Sequence, residues 1–112
     1  ELANASFHAF IGKSRNSFDI ALANAYLGDK EKALCVITKF NPKKINSSDY
    51  LHFTQIYSVL HDTENAFKYL ELLLQTNYQR YAYLYTDYDL VNIRSLPKFT
   101  ELMQKYQTNK PN

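Results

Sequence analysis

One stretch of this chain returns at a spacing of 33 residues. Leu27-Gly28-Asp29-Lys30-Glu31-Lys32-Ala33-Leu34 reappears as Leu60-His61-Asp62-Thr63-Glu64-Asn65-Ala66-Phe67, with Leu, Asp, Glu and Ala in identical places. The residue after each Ala is large and apolar. A period in the thirties, made of two segments of helical periodicity around a turn, marks a stack of helical hairpins. A single hairpin cannot bury its apolar face alone, so such a chain is expected to form a short array in which neighbours cover one another. The expected fold is therefore all-α, and the expected role is binding, which arrays do far more often than catalysis.

Residues 1–13 read as the remnant helix of a preceding repeat, with Leu2, Ala5, Ala9 and Phe10 near one stripe. The first full hairpin takes residues 14–46. Asn16 or Ser17 is placed to cap its first helix. Phe18, Ile20, Ala21, Leu22, Ala25 and Tyr26 give that helix an apolar surface, and Gly28 stops it near Leu27. Asp29 opens a second helix carrying Ala33, Leu34, Ile37 and Phe40, which Asn41-Pro42 ends. The second hairpin, residues 47–80, repeats the plan. Ser47, Ser48 and Asp49 offer caps to a helix bearing Tyr50, Phe53, Ile56, Tyr57 and Leu60. His61 must then take the positive φ that Gly28 takes, which histidine tolerates better than most side chains. Asp62 caps a helix with Ala66, Phe67, Leu70, Leu73 and Leu74 inward.

Residues 81–106 change style. Tyr81, Tyr83 and Tyr85 alternate as a strand would, but no partner strand is in sight and a lone strand leaves its backbone groups unpaired. A short helix or turn is expected there, then a helical turn near residues 89–94, with Arg94 paired to Asp87 or Asp89. Pro97 suits a first helical position. The last helix, about residues 98–106, places Phe99, Leu102, Met103 and Tyr106 on one face, as a cap for the array's final apolar surface requires. Residues 107–112 read as a frayed tail. The whole chain, 1–112, is expected to be a single domain.

These residues resemble the tetratricopeptide repeat (TPR). Its marks fall on Ile20, Ala21, Gly28, Ala33 and Ile37 in the first hairpin and on Tyr50, Phe53, Tyr57, Ala66 and Leu70 in the second, although Asn24 stands where the motif has an aromatic. The ending, Asp87-Tyr88-Asp89-Leu90, Ile93-Arg94-Ser95, then Pro97-Lys98-Phe99 and Leu102, is similar to the close of bacterial TPR regions attached to signalling or transcription-regulator domains. The resemblance covers residues 17–106. It implies a short α-α superhelical array of TPR-like hairpins with a C-terminal capping helix, acting as a scaffold in a larger regulatory protein. In TPR proteins the first helix of each hairpin lines a concave groove. Here that face carries Arg15, Phe18 and Leu22, then Leu51, Gln55 and Ser58. The mix suits a peptide or helix held by apolar contacts with a few polar anchors, and it lacks the clustered cations of a carboxylate clamp. Two alternatives stand beside this. The array is a self-associating or intramolecular regulatory element, pairing through an N-terminal face with Leu2 and Phe10 exposed, as a homodimer or against another domain of the parent chain. Or it is a small-ligand sensor with a pocket between Tyr57, Tyr69 and Tyr83.

Several functions are argued against. A net charge of +2 without a basic face gives no nucleic-acid footprint, and Lys39, Lys43 and Lys44 read as a solvated loop. No apolar run approaches bilayer length, and no leader pattern is present. The start at Glu1 reads as the edge of a longer protein, with a cytoplasmic location favoured. Cys35 stands alone, which excludes an internal disulfide, and reads as a buried small hydrophobe. His8, His52 and His61 have no metal spacing. Asp87 and Asp89 read as turn caps, since a calcium loop needs more oxygen ligands. Two glycines make no phosphate loop, and no serine has a nucleophile-elbow context. The expectation is a non-enzyme with no cofactor and no metal.

Overall fold

The structure, a computed structural model, describes residues 17–40 and 42–108. Its elements are α1 (Ser17–Tyr26), α2 (Lys30–Thr38), a 3-10 turn (Pro42–Lys44), α3 (Ser47–Val59), α4 (Thr63–Gln75), α5 (Tyr81–Thr86), a second 3-10 turn (Tyr88–Leu90), α6 (Val91–Arg94) and α7 (Pro97–Thr108). No strand occurs among the described residues, so the tyrosine alternation of residues 81–85 is helical, as expected. The remnant helix 1–13, Arg15, the Asn16 cap, the Asn41 stop and residues 109–112 lie outside the described residues. The chain divides into two compact units, Glu1–Ile45 and Asn46–Asn112. Helices α1 and α2 pair in the first unit; α3 and α4 pair in the second, where α6 and α7 pack on them and α5 adds Leu84 to the core.

The 33-residue echo is one turn built twice. Gly28 N–H donates to the Ala25 carbonyl at 3.0 Å and Asp29 N–H to the Asn24 carbonyl at 2.9 Å. His61 N–H donates to Ser58 and Asp62 N–H to Tyr57, both at 3.0 Å. Both pairs satisfy last-turn carbonyls that a helix end leaves orphaned. This geometry requires a left-handed residue, and φ is 81° at Gly28 and 62° at His61. The aspartates that follow match as well, with φ/ψ of −90°/83° at Asp29 and −88°/81° at Asp62. Each carboxylate accepts from the backbone N–H three residues on, Lys32 at 3.1 Å and Asn65 at 3.2 Å. Ala33 and Ala66, one turn into their helices, are fully buried.

The left-handed conformation costs an L-residue about 1–2 kcal/mol, and glycine gives back part of that advantage as entropy. His61→Gly should therefore stabilise the second unit by about 0.5–1 kcal/mol. A raised urea midpoint is the expected result; a lowered one would show that the histidine side chain outweighs the strain.

Helix α3 begins one residue earlier than expected. Its cap is Asn46, not Ser47, Ser48 or Asp49. Asn46 Oδ1 accepts from Asp49 N–H and Asp49 Oδ2 accepts from Asn46 N–H, both at 3.0 Å. This reciprocal box satisfies two donors at once, and the extended backbone of Asn46 (φ −110°, ψ 179°) is what a cap needs. On α2, Cys35 is exposed rather than buried. It lies two residues past the buried Ala33, hence about 200° around the helix on the solvent side.

An apolar core runs from α4 to α7 in the second unit. Leu70, Leu73 and Leu74 from α4, Leu84 from α5, Leu90 and Ile93 from the next turns, and Phe99, Leu102 and Met103 from α7 form it. Helix α7 thus buries Phe99, Leu102 and Met103 on one face. Thr54, also fully buried, satisfies its hydroxyl by donating to the Tyr50 carbonyl at 2.8 Å. A polar clasp holds α7 to α4. Glu71 accepts from the Tyr106 hydroxyl at 2.9 Å and from Lys105 Nζ at 3.2 Å, while Gln75 Nε2 donates to the Tyr106 hydroxyl at 3.2 Å.

The hydrogen bond from Tyr106, and then that from Lys105, hold the Glu71 carboxyl below its ordinary 4.5. A depressed carboxyl contributes stability that is full above its unfolded value and is lost as pH falls through the folded one. The clasp should thus weaken below about pH 4.5. Glu71→Gln should flatten that part of a stability–pH curve recorded by urea melts, and an unchanged acid slope would show that Glu71 does not set it.

Candidate interaction surface

The closing segment covers part of the face expected to line a groove. Gln55, on α3, is only 6% exposed, and its Nε2 donates to Asp87 Oδ2 at 2.8 Å, with the Tyr83 hydroxyl 3.4 Å away. Ser58 is fully buried, and its carbonyl accepts from Asn92 Nδ2 at 2.9 Å. These two polar positions are thus committed inside the second unit, to residues some thirty positions downstream. Leu51 is half-buried and packs against the apolar core. Phe18 and Leu22 are half-buried on α1 of the first unit, and Arg15 lies outside the described residues.

Asp87 organises the cover. Its second oxygen accepts from Asp89 N–H at 3.0 Å, capping the 3-10 turn as expected. Arg94 does not reach it as an ion pair; the guanidinium donates to the Asp87 backbone carbonyl instead. The Asp87 carboxylate is already occupied by Gln55 and by its own turn. Burial, then the nearby Asp87 charge, raise the Tyr83 hydroxyl above its ordinary 10.0.

An aromatic ladder fills the space between α3 and α4. The Tyr57 and Tyr69 rings lie parallel with centroids 5.6 Å apart, Phe53 meets Tyr69 edge-on at 5.2 Å, and Tyr50 follows at 6.2 Å. Contacts of this kind add about 0.5–1.5 kcal/mol beyond area. Burial, then Tyr69 and Asp62, raise the Tyr57 hydroxyl above 10.0. Of the three tyrosines expected around a ligand pocket, Tyr57 and Tyr69 stack on each other and the Tyr83 hydroxyl faces Gln55. Exposed large apolar side chains in the described residues gather in the closing segment, at Tyr83, Tyr85, Tyr88 and Val91.

Concave surface occurs in the first unit. The Phe18 and Phe40 rings approach to 5.2 Å at a 32° tilt. With Ser17, Val36, Lys39 and Lys44 they line a cleft of about 500 Å³. A smaller cleft of about 210 Å³ shares Ser17, Val36 and Lys39 and adds Ile20, Ala21, Lys32 and Cys35. Sequence reading places Phe18 on a binding face but takes Lys39 and Lys44 for plain loop. The missed signal was the Phe18–Phe40 contact, which brings the end of α2 back beside the start of α1.

Among the described residues no group of three or more His, Cys, Asp and Glu is arranged to hold a metal ion, and no helix is long and apolar enough to cross a membrane. Comparison with protein-family models, with curated proteins and with solved structures returns no match.

Proposed function

We propose that this chain is a non-catalytic interaction module, a TPR-like array within a larger regulatory or signalling protein, that holds a peptide or helix of a partner. The observation that carries this reading is the turn built twice. Two helical hairpins 33 residues apart share their left-handed residue, their capping aspartate, their carbonyl pairing and a fully buried alanine. A distinct closing segment then completes the second core. Repetition with a dissimilar end is the plan of arrays whose surfaces bind. In this reading each unit offers apolar contacts of its own, Phe18 and Leu22 in the first and Leu51 in the second, while Gln55 and Ser58 support the fold.

The test is affinity capture from lysate of the native source, comparing the wild-type chain with Phe18→Ala, Leu51→Ala. A protein lost with the double variant, whose helical circular dichroism is retained, is the expected result. Equal capture by both baits would overturn the assignment of these residues.

A further inference from the structure

The Phe18–Phe40 cleft has the chemistry of a site for an acidic peptide, and we infer that the first unit recognises a segment carrying Asp or Glu beside an aromatic or leucine anchor. This rests on the reading of the chain as an interaction module and names the kind of partner. The floor is apolar, from Phe18, Val36 and Phe40, and the rim carries Lys39 and Lys44. The adjoining cleft adds Lys32, and among the described residues no carboxylate lines either one. Lys32 sits 3.8 Å from Asp29, but both are solvent-exposed, and such a pair is too weak to withhold the lysine from a ligand.

Lys32 on α2 and Lys39, the residue that caps its C-terminus, lie two turns apart, so their stems rise about 10 Å apart along the helix axis. An acidic segment can therefore meet both while its anchor enters the cleft. A volume of about 500 Å³ falls in the range of cavities that take a specific ligand group. The charge of the unit points the same way. Residues 1–45 hold seven of the chain's 13 Lys and Arg but only four of its 11 Asp and Glu. Such a field steers an anionic partner and repels a cationic one. A planar bilayer cannot reach a concave floor, which favours a peptide over an anionic membrane.

Fluorescence anisotropy on the full chain tests this with three fluorescein-labelled synthetic peptides: Asp/Glu with Phe/Leu, Lys with Phe/Leu, and Asp/Glu with Ser. Only the first should bind, more weakly as salt rises, because exposed charges are screened. Lys39→Glu with Lys44→Glu should lower its affinity about tenfold or more and leave the circular dichroism unchanged, since both side chains are exposed. Equal binding of the basic peptide, or no effect of the double reversal, overturns the inference. So does retention on phosphatidylserine vesicles without peptide binding, or a doubled mass in light scattering that the reversal abolishes, which would make a second copy the occupant. If no peptide binds but the lysate capture succeeds and Leu51→Ala alone weakens it, this site fails and the module reading survives; if both are silent, both fail.

Discussion

Phe99→Ala is expected to cost the second unit about 3–5 kcal/mol. The ring is 1% exposed, sits in the apolar core that α4 shares with α7 and meets Tyr85 edge-on at 5.7 Å. Its loss removes transfer energy and leaves a cavity that helices held by Leu102 and Met103 cannot collapse to fill. Small domains command about 5–15 kcal/mol in all, so the variant should lose a large part of its stability. Urea denaturation at 222 nm reads this directly. A shift worth under about 1 kcal/mol would mean that α7 is an accessory rather than the piece that completes the core.

Ala66→Leu and Ala33→Leu form the second experiment. Both alanines are fully buried at the same place after the same turn, where the helices of each hairpin come close. Three added carbons have no room, and overpacking of this kind costs about 1–3 kcal/mol. If the hairpins share one plan, the two substitutions should destabilise alike, each in its own unit. Amide hydrogen exchange would resolve the units, since local opening is read residue by residue. A harmless Ala33→Leu beside a damaging Ala66→Leu would show that the correspondence ends at the turn.

What could be read from the sequence was local. Gly28 and His61 announce their left-handed turns because Asp and Ala follow at fixed offsets. Pro97 and the Phe99, Leu102, Met103 stripe announce α7 by the same kind of short-range pattern. The Asn46 cap was harder, because Asn-Ser-Ser-Asp offers four plausible caps and only the backbone angle at Asn46 chooses among them. Cys35 was misplaced because its neighbours Leu34 and Val36 are apolar, whereas helical phase from Ala33 decides its direction. The groove face was least legible. Gln55 and Ser58 sit at positions that suit a ligand, and what covers them, Tyr83, Asp87 and Asn92, arrives about thirty residues later. No window of the sequence contains both halves of that contact. The lysine-rimmed cleft has the same origin, since Phe40 meets Phe18 only after the chain has turned at Gly28.

The reciprocal box at Asn46 also shapes how the molecule can be taken apart. Helix α2 has ended at Thr38, and α3 begins with its first donors already satisfied, so α3 needs nothing upstream to start it. Between them the 3-10 turn presents Lys43 and Lys44, both exposed. Brief treatment with trypsin should nick the chain at these lysines ahead of the cleavage sites inside the helices. The fragment from Ile45 onward would keep its cap, its core and its clasp, and a stable product of that size is what gel analysis should show.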